Sequence, residues 1–150
     1  MKDIIHFDRN CSWENGYPSK PVVCNPTMRD VYETINIIKN YESSVLIQGE
    51  SGTGKSMLAR AIVRNSPRAA FPFLEVNCGS LNDQLLESEL FGHVRGAFTG
   101  AVKTRAGKIE AADGGTLFLD DITSATSAMQ TKLLHVMENK SIQRVGENKT

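Results

Sequence analysis

The chain has 150 residues, enough for one domain or part of one. It is 40% hydrophobic and 23% charged, and its 17 basic and 17 acidic side chains cancel, which excludes a large basic nucleic-acid face on this segment. No apolar run approaches the ~20 residues of a membrane span, the N-terminal MKDIIHFDRN lacks a signal-peptide core, and Cys11, Cys24 and Cys78 form no C-x-x-C pair, so a reduced, cytoplasmic setting without membrane contact is expected. No ligand spacing joins those cysteines to His6, His93 or His135.

Residues 1–25 form an irregular N-terminal segment, since Asn10, Gly16, Pro18 and Pro21 discourage long elements. Within it Val22 and Val23 either pack as a short segment or belong to a loose tail. The domain proper is expected over residues 26–150. Asn25-Pro26-Thr27 opens a helix to about Tyr41, with Val31, Ile35 and Ile38 on one apolar face. Ser44 to Gln48 reads as a doubly covered parallel strand. A helix from Lys55 to Asn65 turns Leu58, Ala59 and Ile62 inward and ends at Ser66-Pro67. Phe71 to Val76 is a second strand, and Leu81 to Leu90 a helix with Leu81, Leu85, Leu86 and Leu90 on one side. Residues 91–101 fit no regular element. A helical turn at Gly107–Ala112, a turn at Asp113-Gly114-Gly115 and a strand at Thr116–Asp120 follow. A helix from Met129 to Glu138, with Leu133, Leu134 and Met137 inward, precedes a short strand at Ile142–Val145. Strands alternating with helices specify an α/β fold with a mainly parallel sheet.

The loop between the first strand and its helix, Gly49-Glu50-Ser51-Gly52-Thr53-Gly54-Lys55-Ser56, fits G-x-x-x-x-G-K-[ST]. Glycines let backbone N–H groups turn inward around phosphate oxygens, and the helix start adds its positive end. Lys55 is placed to reach the β- and γ-phosphates and Ser56 to hold Mg²⁺, so ATP and Mg²⁺ are the expected ligands. The strand Leu117-Phe118-Leu119-Asp120-Asp121 supplies the partner motif. Its carboxylates stand at a strand end, where ligands of α/β sheets bind. Asp120 would serve Mg²⁺, and Asp121 would orient or deprotonate the attacking water. Asn77, at another strand end, either reaches the same crevice or closes an Asx turn.

Gly96-Ala97-Phe98-Thr99-Gly100-Ala101 sets an aromatic residue between glycines, giving either an exposed contact or a core residue at Phe98. This hexamer resembles the signature loop of sigma-54-dependent transcription activators, a branch of the AAA+ ATPases. The resemblance extends over about residues 26–147 through GESGTGKS at Gly49, VNC at Val76, ESELFGH at Glu87, GGTLFLDD at Gly114 and KLLHVMENKSIQRVG at Lys132. It implies a P-loop three-layer sandwich and an ATP-driven ring that remodels the closed complex of sigma-54 RNA polymerase. Residues 96–101 would contact sigma-54, with Phe98 and Thr99 at the tip. Asp121 would occupy the catalytic acid position, and Asn77 would restrain that acid until the partner engages.

Several positions depart from the family pattern. Asp121 stands where Glu is usual, which sets the carboxylate back by roughly 1–1.5 Å, a misplacement that can cost about a hundredfold in rate. Val94 replaces a usual Glu, Ile109 a usual Phe and Val63 a common His, while Ser56 in place of a common Glu favours Mg²⁺ chemistry. The family pattern continues with a sensor strand, arginine fingers, a helical lid and a DNA-binding helix-turn-helix, none of which is in these 150 residues. The fold is therefore expected to be incomplete at its C-terminus. The family's fourth strand, which lies between the first and third, is missing, and DNA would be reached only through a domain outside this chain. Two further readings compete: a truncated or degenerate fragment that binds nucleotide or sigma-54 without ATPase activity, and a GTPase, for which Asn148-Lys149 begins the N-K-x-D pattern.

Overall fold

The computed structural model describes residues 13–14, 17–18 and 26–147. Cys11, Cys24, His6, Val22, Val23 and Asn148-Lys149 lie outside them. The chain divides into two compact units, Met1–Ala70 and Phe71–Thr150.

In the first unit β1 (Trp13–Glu14) pairs antiparallel with β2 (Tyr17–Pro18). Helix α1 (Pro26–Ile38) begins on a proline, whose fixed φ and missing N–H suit the first helical position. It stops short of Tyr41, where Lys39 N–H to Ile35 O (2.9 Å) and Tyr41 N–H to Ile38 O (2.9 Å) close the last turns. Helix α2 (Lys55–Arg64) follows the glycine loop. Ile35, Ala59 and Val63 are buried. Ala59 and Val63 are one helical turn apart and define the inward stripe of α2; Leu58 and Ile62, expected there, are half-buried beside it.

The expected strand over residues 44–48 does not form. Among the described residues no β-ladder runs through that stretch, and Leu46 is 73% exposed. A strand exists by virtue of neighbours that take its N–H and C=O groups. The apolar character of Val45, Leu46 and Ile47 is therefore not enough to make one.

The second unit is built on β3 (Phe73–Asn77) and β6 (Thr116–Asp120), which pair in parallel from Phe73↔Thr116 to Asn77↔Asp120. Between them the chain runs through α3 (Asp83–Phe91), β4 (Gly92–His93), β5 (Arg105–Ala106) and α4 (Lys108–Ala111), the long crossover a parallel pair requires. Asn82 caps α3, its Oδ1 accepting from Leu85 N–H at 2.9 Å. A 3₁₀ turn (Ile122–Ser124) leads from β6 to α5 (Ser127–Asn139). Val76, Cys78, Leu86, Leu90, Phe91, Ala125, Met129 and Leu133 form the core. The rings of Phe73 and Phe118 stack across the strands with centroids 6.4 Å apart.

Helical period sets which apolar residues go inside. On α5 Met129, Leu133 and Val136 share one stripe, and Leu134 and Met137, expected inward, are exposed. On α3 Leu86 and Leu90 are inside, and Leu85 is exposed, as is Leu81 before the helix. Lys132 pairs with Glu87 and so ties α5 to α3 at the surface. In place of the strand expected at 142–145, Val145 alone forms a bridge, with His93.

Candidate functional site

The glycine loop is shaped by backbone that only glycine adopts readily. Gly52 (φ 80°) and Gly54 (φ 89°) are left-handed, and Gly54 stands at the N-cap of α2. That helix start carries no side-chain cap bond, and the first N–H groups of a helix have no intrahelical partner. Lys55 Nζ turns back to donate to Gly49 O (3.1 Å) and Glu50 O (2.8 Å), and Thr53 Oγ1 also donates to Glu50 O (2.8 Å). Residues 49–53 are exposed, and Gly54, Lys55 and Ser56 half-buried. The lysine is thus held over its own loop.

In the second unit the ladder register sets Asn77 directly beside Asp120 at the carboxyl ends of adjacent parallel strands. Asn77 Oδ1 accepts from Gly79 N–H at 2.9 Å, an Asx turn, and Asn77 O accepts from Ser80 Oγ at 2.9 Å. Asp120 Oδ1 accepts from Asp121 N–H at 3.1 Å. Asp121 is in the left-handed region (φ 53°, ψ 47°), which Asp tolerates better than most residues. Its Oδ2 accepts from Ser124 Oγ at 2.6 Å and its Oδ1 from Thr123 Oγ1 at 3.2 Å. Behind this pair Cys78 is buried, and burial pushes its thiol above the usual range, reinforced by the charges of Asp121 and then Asp120. Ser124, Thr123 and Gly79 were not singled out in the sequence; a hydroxyl at the third position after an acid that leaves a strand was the available signal.

Residues 96–101 form a loop with a braced base. β4 pairs antiparallel with β5 beneath it. Val145 N–H donates to Gly92 O (3.0 Å) and Val94 N–H to Val145 O (3.1 Å). Glu89 pairs with Arg105 (3.2 Å) and Lys108 (3.6 Å). Gly96 (φ 83°) and Gly100 (φ 97°) turn the chain, Gly96 N–H reaches Ala101 O at 2.9 Å, and Ala101 is buried. Thr99 and Gly100 stand exposed at the tip, with Ala97 and Phe98 half-buried below them. Phe98 meets His93 edge-on, ring centroids 5.0 Å apart and planes at 66°. His93 is itself buried, its Nδ1 sharing a 2.8 Å hydrogen bond with Ser88 Oγ. Both readings of Phe98 are met halfway: the ring is neither free in solvent nor in the core.

A family model described as the Sigma-54 interaction domain matches residues 22–150, which takes in the glycine loop, both strand ends and the 96–101 loop. The chain belongs to this family. As a sigma-54 interaction domain it is 48% identical over 147 residues to a Nif-specific regulatory protein of Klebsiella pneumoniae, covering 97% of this chain and 28% of that protein. It is 52% identical over 135 residues to the Azotobacter vinelandii protein of the same name, covering 90% of this chain and 26% of that one. The NorR transcription regulator of anaerobic nitric oxide reductase from Citrobacter koseri is 45% identical over 141 residues, with 94% and 28% covered. The crystal structure of NtrX from Brucella abortus in complex with ATP matches with a TM-score of 0.76 at 33% identity, over 87% of this chain and 27% of that one. The sigma-54 interaction domain described here therefore spans little more than a quarter of these relatives. It has the α/β fold of the AAA+ class with a parallel strand pair, and among its described residues no helix is long and apolar enough to cross a membrane.

Proposed function

We propose that this chain is the ATP-binding core of a sigma-54-dependent transcriptional activator, which couples ATP hydrolysis to remodelling of the sigma-54 RNA polymerase closed complex in the cytoplasm. The match to the sigma-54 interaction domain over residues 22–150 carries this reading, because it includes both the phosphate loop and the 96–101 loop. In this reading the N–H groups of residues 49–56 cradle the phosphates, and Lys55 exchanges its Gly49 and Glu50 carbonyl partners for the β- and γ-phosphates. Ser56 and Asp120 offer a hydroxyl and a carboxylate, hard oxygen donors of the kind Mg²⁺ takes. Mg²⁺, when bound, neutralises charge that develops on the transferring phosphoryl group. Asp121 orients the attacking water and Asn77 governs when it does so. Gly96, Ala97, Phe98, Thr99, Gly100 and Ala101 contact sigma-54. Self-association into a ring brings an arginine finger in trans, worth about 10³–10⁵ in rate in related phosphoryl transfer, so the chain alone turns ATP over slowly. DNA is contacted through another domain. Lys55→Ala tests the reading: loss of the residual ATP turnover supports it, and unchanged turnover contradicts it.

A further inference from the structure

The carboxylate of Asp121 is occupied by hydroxyls of its own turn. Ser124 Oγ donates to Oδ2 at 2.6 Å, within the range of a charge-assisted O–H···O⁻ bond, and Thr123 Oγ1 donates to Oδ1 at 3.2 Å. The turn does not need these bonds to close, since Ser124 N–H already reaches Asp121 O at 3.0 Å and Ala125 N–H reaches Ile122 O at 3.2 Å. The pair is also fitted against a bare backbone: a Cβ on Gly79 would lie 2.8 Å from Asp121 Oδ2 and 3.3 Å from Ser124 Oγ. Gly79 is put there by Asn77, whose Oδ1 holds the Gly79 N–H at 2.9 Å.

We propose that Ser124, seconded by Thr123, is a positioning residue that holds Asp121 in a resting rotamer against the bare backbone of Gly79. The inference rests on the reading of Asp121 as the residue that orients the attacking water. A base must present a lone pair within hydrogen-bond reach of that water. Ser124 competes for the same oxygen and fixes the side-chain torsion. An acid one methylene shorter than Glu has little slack with which to meet both partners.

The test is single-turnover hydrolysis of radiolabelled ATP by the 150-residue chain in excess, with Mg²⁺, comparing wild type, Asp121→Asn, Ser124→Ala, Ser124→Thr and Gly79→Ala. Asp121→Asn must be slower than wild type; if the two are indistinguishable, the reading of Asp121 falls and this inference with it. With that difference in hand, Ser124→Ala raises the maximal rate about tenfold, ~1.4 kcal/mol, at an unchanged half-saturating concentration. Ser124→Thr, which keeps the hydroxyl, returns the rate to that of wild type. Gly79→Ala raises the rate as well, by crowding Oδ2 off the hydroxyl, and decides the matter should Ser124→Ala melt early by circular dichroism. A rate at or below wild type in a folded Ser124→Ala, or in Gly79→Ala where that variant decides, overturns the inference.

Discussion

Phe98→Ala is expected to remove the sigma-54 contact while leaving nucleotide binding intact. The ring is half-buried and meets His93 with centroids 5.0 Å apart. An edge-on pair contributes about 0.5–1.5 kcal/mol, and burying half a phenylalanine about as much again. The truncation should thus cost ~2 kcal/mol of stability, against about 3–5 kcal/mol for a Phe deleted from a closed core. In a chain of this size ~2 kcal/mol lowers the melting temperature by roughly 4–8 °C, leaving the domain folded at 20 °C. A central aromatic anchor of an interface costs at least ~2 kcal/mol in affinity when cut, about thirtyfold. Fluorescence anisotropy with labelled sigma-54 and a parallel ATP titration read the two effects separately. Sigma-54 binding lost with ATP affinity within about twofold of wild type supports a contact residue. Equal loss of both would mean that Phe98 supports the fold, and would refute the argument from its half-exposure.

Three other outcomes follow from the same geometry. Leu90→Ala, at a fully buried side chain, should lower unfolding free energy by about 2–5 kcal/mol in denaturant titration; Leu134→Ala, exposed on α5, should change it by less than ~1 kcal/mol. The raised thiol of Cys78 stays protonated in the folded chain at pH values where an unfolded one ionises, so its contribution to stability is full below about pH 8.5 and is lost as pH rises through that window. Alkylation of the Cys78 peptide, followed by mass spectrometry, should begin at lower pH in Asp121→Asn, because one raising charge is gone. Asp121→Glu restores reach and breaks the fit to Ser124, and should raise the maximal single-turnover rate by at least about tenfold.

Much of the site was legible because its chemistry is local in sequence. Gly52, Gly54 and Lys55 dictate a loop and a helix start whatever surrounds them, and the apolar run ending in Asp120-Asp121 finds in Phe73–Asn77 the partner that makes it a strand with a polar end. What was not legible depends on partners distant in the chain. Residues 44–48 have the composition of a buried strand, yet strand formation is decided by neighbouring strands. The inward faces of α3 and α5 are narrower than the apolar pattern suggests: of Leu81, Leu85, Leu86 and Leu90 only the i, i+4 pair Leu86–Leu90 is buried, and of Leu133, Leu134 and Met137 only Leu133, which pairs with Met129. The sequence admits the Asx turn at Asn77, but its consequence, a glycine seated against Asp121, needs the left-handed backbone at Asp121 that no residue pattern announces. The brace of β4, β5 and Val145 under the 96–101 loop joins residues 92, 106 and 145, a pairing that two-residue strands are too short to signal.

The central claim is that this chain binds ATP through the Gly49–Ser56 loop, and calorimetric titration of ATP and GTP with Mg²⁺ into wild type and Lys55→Ala tests it most directly. The predicted result is saturable ATP binding, weaker GTP binding, and an ATP affinity at least about tenfold lower in Lys55→Ala, the loss of one charge-assisted phosphate contact. No ATP binding, a preference for GTP, or equal affinities of wild type and Lys55→Ala would contradict it.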